Sequence, residues 1–283
     1  MQLSLVGVNH NTAPITIREK VAINAEKLRD SLSLLRSYIQ HGVILSTCNR
    51  TEIYAVESGD CRAEEASLEF MKARANVFDD SLLRFVYIGK DKAAAEHLFR
   101  VASGLESMIV GEFEVLGQVK QALETAEIAG MVNLPLRHVF QNAIRVGRRV
   151  RSETGISKNA LSVSSVAVDL AAGIVGNLKK CRMLVIGAGE AGRLVAKVAR
   201  ERGASQIIIA SRTKERAQAL AAKLQGIPIG LNSLTDELSS ANIVVTCAGA
   251  PHRILDVRRV GEAMKKRPEF PMVIIDIAIP RNV

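Results

Sequence analysis

The sequence predicts a two-domain α/β chain, on three observations. Strand-like and helix-like segments alternate over the first 90 residues, residues 91–152 read as helix almost throughout, and strands alternate with helices again from about residue 155. A length of 283 residues is long for one domain and comfortable for two. The expected division is 1–152 and 153–283.

In the first part, "LSLVGVN" (3–9) reads as a strand and "NAEKLRDSLSLLRSYI" (24–39) repeats apolar residues at helical spacing. "GVILS" and "TEIYAV" read as two further strands, "AEEASLEFMKARA" (63–75) as a helix and "LRFVYIG" (83–89) as a strand. The order β-α-β-β-α-β is that of a ferredoxin-like split unit. Added helices follow at "DKAAAEHLFRVASGLESMI", "LGQVKQALETAEIAG" and "LRHVFQNAIRVGRRVRSE". In the second part, the helical "SVSSVAVDLAAGIVG" leads into "CRMLVIGAGEAGRLVAKVARERG", a strand, a glycine turn and a helix. Strands at "QIIIA" (206–210), "ANIVVTC" (241–247) and "PMVIIDIAI" (271–279), with "KERAQALAAKLQ" as an intervening helix, complete a doubly wound, Rossmann-type pattern.

Composition narrows the function. A hydrophobic share of 48% with 24% charged residues suits a globular chain with a sizeable core. Three tyrosines, seven phenylalanines and no tryptophan argue against a surface that reads single-stranded RNA by stacking. The balance of 38 basic against 29 acidic residues, a net +9, is compatible with a polyanionic partner without requiring one. None of the four cysteines, Cys48, Cys61, Cys181 and Cys247, forms a C-x-x-C pair, so no metal is expected. The first positive charge stands only at Arg18, unlike a signal peptide, and the most apolar helical stretch is too short and polar to span a bilayer. A soluble cytoplasmic protein with reduced thiols is expected.

"GAGEAG" (187–192) matches G-x-G-x-x-G between a strand and a helix, the context that the motif requires. Gly187 permits the tight turn, Gly189 lets a pyrophosphate approach the backbone, and Gly192 lets helix and strand pack closely. Ala188, Glu190 and Ala191 complete the turn, and the helix start supplies amide N–H groups. At the end of the next strand, where an NAD site places an acid, this chain has Ser211, Arg212 and Thr213. A guanidinium between two hydroxyls suits a 2′-phosphate, so NADPH is the expected cofactor.

"STCNRTEIYAV" (46–56) sets Cys48 at a polar strand end rather than in an apolar run, where a structural thiol usually packs. A thiol beside a nicotinamide suggests thioester chemistry, in the direction of reduction or of aldehyde oxidation. The residues alone leave open a thiol-dependent NADP-linked semialdehyde dehydrogenase acting on a free small substrate, or an inactive protein that binds a polyanion or a partner enzyme.

The motifs "VNHNTAP", "STCNRTEIYAV", "HLFRVASGLESMIVGE", "GQVKQA", "SVSSVAVDLA", "GAGEAG", "ASRT" and "IPRNV" occur in this order over nearly the whole chain. Together they resemble glutamyl-tRNA reductase. The resemblance implies a catalytic, glutamyl-tRNA-binding domain followed by an NADPH-binding one. It implies NADPH-dependent reduction of glutamyl-tRNA to glutamate-1-semialdehyde, the first committed step of five-carbon tetrapyrrole synthesis. Cys48 matches the family nucleophile that holds glutamate as a thioester, and His97 the histidine important for activity. Beside the nucleophile, Arg50 can pair with a substrate carboxylate, while Thr47 and Asn49 offer hydrogen bonds. Ser107, Glu112, Phe113, Glu114 and Gln118 fall on the family's substrate-contacting segment, with Phe113 a departure from its usual small, acidic or proline residue. The tRNA would be the polyanion, and Met131 to Arg151 holds five arginines and no acid. Of these, Arg145, Arg148 and Arg149 share a helix face that could track phosphates, be solvated or pair with acids elsewhere. The resemblance also admits glutamate-1-semialdehyde aminomutase as a partner. Family members continue past the last residue here into a helical dimerisation domain, so a monomeric or weakly associated chain is expected.

Overall fold

The computed structural model describes residues 2–57, 62–77, 80–157 and 161–283, and Cys61 lies outside them. The chain divides into two units, Met1–Leu161 and Ser162–Val283. Each has its own core.

The first unit is built on a four-stranded antiparallel sheet in the order β2-β3-β1-β4. These are β1 (Leu3–Asn9), β2 (Gly42–Ser46), β3 (Arg50–Val56) and β4 (Tyr87–Lys90). Every residue of β1 and β3 is buried, polar ones included, so both faces of the sheet centre are covered. That burial explains why the two strands hold runs of Leu, Val, Ile and Ala, and why a polar residue placed there must find partners. The helices are α1 (Ile15–Val21), α2 (Leu28–Leu35), α3 (Ala63–Ala75), α4 (Asp91–Ala102), α5 (Glu114–Ile128) and α6 (Leu134–Glu153). The order and pairing are those of the ferredoxin-like unit with added helices.

Three segments differ from the sequence reading. The strand expected over 83–89 is a 3-10 turn at Asp80–Phe85, and pairing with β1 begins only at Tyr87. The helix expected over 24–39 is a 3-10 turn at Ala25–Lys27 followed by the shorter α2. The helix expected from residue 91 to 109 stops at Ala102, because Gly104 takes a left-handed φ of 79° and closes the last turn through Gly104 N–H to Val101 O and Leu105 N–H to Arg100 O. This early stop releases residues 103–113 as a loop.

The second unit opens with α7 (Val163–Val175), whose start is a capping box between Ser162 and Ser165. A parallel sheet follows in the order β7-β6-β5-β8-β9. Its strands are β5 (Arg182–Ile186), β6 (Gln206–Ser211), β7 (Ile227–Gly230), β8 (Ile243–Thr246) and β9 (Val273–Asp276). Helices α7, α8 (Glu190–Glu201) and α9 (Lys214–Leu224) supply one core layer, and α10 (Leu234–Leu238) and α11 (Val257–Lys265) the other. The sheet lies between them, which makes it doubly wound. Strand β7 was not expected. It carries Pro228, tolerated there because β7 is an edge strand.

Candidate active site

Cys48 lies in the three-residue connection between β2 and β3. The turn is closed by Thr47, whose Oγ1 accepts from Asn49 N–H at 3.1 Å and Arg50 N–H at 3.2 Å, while Thr47 N–H donates to Arg50 O at 2.8 Å. Thr47 therefore shapes the loop that presents the thiol. Asn49 is buried and Cys48 half-buried. The thiol is free, in no disulfide. Enclosure of its sulfur and the charges of Glu112 and Glu114 push it up to about 12, against a smaller opposing pull from Arg18. At neutral pH the thiol is protonated.

Behind the turn lies a buried polar cluster that the sequence reading missed. Arg50, Glu52 and Tyr54 alternate along β3 and so share one face. Oε1 of Glu52 accepts from Arg50 Nη1 at 2.6 Å and Tyr87 Oη at 2.5 Å, and lies 2.9 Å from His97 Nε2. Its Oε2 accepts from Tyr54 Oη at 2.7 Å. Glu52 is fully buried, and burial by itself would raise its carboxyl. Arg50, then His97 and Tyr87, outweigh burial and hold it down to about 2. Gly7 of β1 makes room for this cluster. It stands in register with Glu52 on one side and Tyr87 on the other, and a Cβ there would lie 2.6 Å from Tyr87 Cζ. The signal available in the sequence was the i, i+2, i+4 row of Arg50, Glu52 and Tyr54 in a strand whose other residues are Thr51, Ile53, Ala55 and Val56.

Arg50 also donates through Nη2 to the carbonyl of Glu106 at 2.5 Å and is only 3% exposed. Its pairing with a substrate carboxylate would thus fall to a guanidinium that already bridges Glu52 and the loop after α4. His97, on α4, keeps Nε2 at Glu52, and its ring lies against Tyr87 with centroids 5.3 Å apart.

The loop 103–113 brings Ser107 and Glu112 in as buried residues. Burial raises the Glu112 carboxyl, with Ser107, Arg50 and Arg151 pulling the other way. Arg151 of α6 secures this loop, donating from Nη1 to Gly111 O at 3.1 Å and to Ser157 Oγ at 2.9 Å. Phe113 is 61% exposed with the Arg151 guanidinium 5.8 Å from its ring centroid. Glu114 and Gln118 follow one turn apart on α5, both half-buried. Among the described residues, Arg18, Glu112 and Glu114 are each within electrostatic reach of Cys48, and the Glu52 cluster joins Arg50 to His97.

In the second unit, Gly187 has a φ of 124°, and a Cβ there would lie 3.0 Å from the backbone of Cys247 and Ala248. A Cβ on Gly192 would lie 1.8 Å from Gly187 O, so the helix can sit this close only with glycine. A Cβ on Gly189 would meet nothing within 4 Å: it would point into open space at the start of α8, where backbone N–H groups lack helical partners. That open cradle fits a pyrophosphate. Ala188 and Ala191 are half-buried and Glu190 is paired with Arg193 at 2.6 Å. Ser211 ends β6 and its Oγ accepts from Thr213 N–H at 3.2 Å, with exposed Arg212 between them. The sequence reading missed Asn282, fully buried, whose Oδ1 accepts from Ala248 N–H at 3.0 Å and whose carbonyl accepts from Ile254 and Leu255. It fixes the strand end that backs Gly187.

Two family models match the chain: "Glutamyl-tRNAGlu reductase, N-terminal domain" over residues 6–154, and "Shikimate / quinate 5-dehydrogenase" over 169–283. A curated glutamyl-tRNA reductase from Hahella chejuensis is 42% identical over 286 residues, covering 100% of this chain and 67% of the relative. The chain belongs to the glutamyl-tRNA reductase family. A relative of the same name from Carboxydothermus hydrogenoformans is 41% identical over 285 residues, covering 100% of this chain and 63% of its own. The solved glutamyl-tRNA reductase from Methanopyrus kandleri aligns with a TM-score of 0.51 at 38% identity, over 99% of this chain and 67% of that one. The chain thus spans about two thirds of the length of these relatives, and as a member of the glutamyl-tRNA reductase family it is an oxidoreductase.

The arginines of α6 are not a uniform free face. Arg137 pairs with Glu127 at 2.8 Å, Arg149 with Glu153 at 3.0 Å, Arg145 hydrogen-bonds Asn142, and Arg151 holds the loop described above. Arg145, Arg148 and Arg149 are exposed. Among the described residues no cluster of His, Cys, Asp or Glu is placed to hold a metal ion, and no helix is long and apolar enough to cross a membrane.

Proposed function

We propose that this chain reduces the glutamyl ester of glutamyl-tRNA to glutamate-1-semialdehyde through a thioester on Cys48, with NADPH, at the head of five-carbon tetrapyrrole synthesis. The observation that carries the reading is the Cys48 turn itself. Thr47 closes it, Arg50 anchors it to a buried ionised carboxylate, and it presents a free, half-buried thiol. A second unit with a dinucleotide-type glycine turn supports the redox half.

The chemistry begins with proton removal, because a thiol held near 12 is a weak nucleophile. His97 is the proposed acceptor. With Nε2 facing Glu52, the ring nitrogen left to exchange a proton is Nδ1. The sulfur adds to the ester carbonyl, the C–O bond to the tRNA breaks, and the departing ribose oxygen takes up a proton. The glutamyl group remains as a thioester among Asn49, Ser107, Glu112, Phe113, Glu114 and Gln118, the proposed substrate contacts. One hydride and one proton then give the aldehyde and the free thiol. NADPH, when bound, supplies that hydride. Gly187 to Gly192 would hold its pyrophosphate, and Ser211, Arg212 and Thr213 its 2′-phosphate. The family resemblance further supports glutamate-1-semialdehyde aminomutase as the enzyme that takes the product.

The test is mass spectrometry of the protein incubated with glutamyl-tRNA without NADPH. A glutamyl adduct on Cys48, absent in Cys48→Ala, is expected. An adduct on Cys61, Cys181 or Cys247 instead would overturn the assignment.

A further inference from the structure

Arg18, on α1, reaches the nucleophile turn from outside the sheet. Its Nη1 donates to the carbonyl oxygen of Cys48 at 3.0 Å. That is the one hydrogen bond of its side chain among the described residues, and its Nε is buried without a partner. A guanidinium carries five N–H donors, and leaving one buried and unpaired is costly. The chain nevertheless holds this cation against the turn, half-buried, where the other nearby guanidinium, Arg50, is already bridged between Glu52 and the Glu106 carbonyl.

The charges that face the Cys48 sulfur explain why a cation is needed there. Glu112 and Glu114 face it from the start of α5 and the loop before it, and both disfavour a thiolate. Arg18 faces it from α1 and favours one. His10, in the connection from β1 to α1, lies beside both Arg18 and Arg50 and is held below its ordinary value by burial, then by Arg50 and Arg18, so it adds no positive charge of its own at neutral pH.

We infer that Arg18 is a positioning residue for the nucleophile, anchoring the Cys48 carbonyl and supplying the positive charge that offsets Glu112 and Glu114 when the sulfur becomes an anion. It acts on the thiol through the turn and through its field, not by touching the substrate. The inference rests on the reading of Cys48 as the nucleophile, but it can be tested without any substrate.

The experiment is iodoacetamide labelling of the full chain, with peptide mapping to read Cys48 and Cys247 separately, across a pH series. Arg18→Gln should slow Cys48 labelling at pH 8 about three- to tenfold and move its profile to higher pH. Arg18→Lys, which keeps the charge, should restore most of the rate, and Glu112→Gln should move it the opposite way. Cys247, half-buried in the second unit, should label alike in all four proteins and so serves as the internal standard for reagent and pH, while the circular dichroism of each variant reports an intact first unit. An unchanged Cys48 rate in Arg18→Gln, or equal slowing in Arg18→Gln and Arg18→Lys, would reduce Arg18 to a packing contact and overturn the inference. Failure to find a glutamyl adduct would instead strike the catalytic reading, and leaves these labelling rates as they are.

Discussion

Nε2 of His97 lies 2.9 Å from Oε1 of Glu52, a carboxylate with no exposed surface. The same oxygen takes Arg50 and Tyr87, so a single buried charge orients a histidine, a guanidinium and a phenol at once. The sheet alone could not fix these groups, because they arrive from β3, β4 and α4. Glu52 is what makes them one unit.

Glu52→Gln keeps the shape but removes the charge and turns an N–H face toward donors. Breaking a buried pair in this way costs about 3–5 kcal/mol. The pH dependence has a definite sign. The folded-state value of Glu52 is lowered from 4.5 to about 2, so its contribution is fully present above 4.5 and is lost as pH falls through the folded value. Urea unfolding at pH 6, 4 and 3 should show the wild type losing more stability over that window than Glu52→Gln. Parallel losses in the two proteins would assign the acid sensitivity to other carboxylates.

Gly7 is the second support of the cluster. A methyl group there meets the Tyr87 ring at 2.6 Å, and the ring cannot move without leaving Glu52. Gly7→Ala should therefore destabilise the first unit by about 1–3 kcal/mol, the usual cost of overpacking. In a Tyr87→Ala background the same substitution should cost much less. A double-mutant cycle read by denaturant midpoint measures the difference, and additive costs would mean that the ring and the glycine are independent.

The sequence pattern carried much of this architecture because its strongest signals are local. β1 and α3 coincide with the expected 3–9 and 63–75, and the glycine turn sits between β5 and α8, since alternation, helical spacing and a G-x-G-x-x-G turn each depend on a few adjacent residues. What stayed hidden depends on distant partners. Nothing in "TEIYAV" states that Glu52 will meet Tyr87 and His97, 35 and 45 residues further on. Leu83 to Val86 look strand-like, yet β1 offers pairing partners only from Tyr87. Arg137 and Arg149 read as a basic stretch because the acids that pair with them, Glu127 and Glu153, lie outside the run. Asn282 gave no periodic signal, and the three backbone N–H groups that donate to it come from residues 248–255.

The cofactor preference is the remaining expectation to test, and the β6–α9 turn says where to test it. Ser211 is half-buried with its Oγ accepting from Thr213 N–H, a bond that spans the turn around Arg212. Arg212 is exposed at that turn and can be truncated with little consequence for the core. A 2′-phosphate at this place would gain a charge-assisted bond from the guanidinium, of about 1.5–3 kcal/mol. Arg212→Ala should then weaken NADPH binding by about ten- to a hundredfold, while NADH, with no phosphate there, should bind nearly as before. Fluorescence titration of each dinucleotide against wild type and variant measures both constants. A fall that is greater for NADPH ties Arg212 to the phosphate, whereas equal falls would mean that it supports the turn in spite of the Ser211 to Thr213 bond.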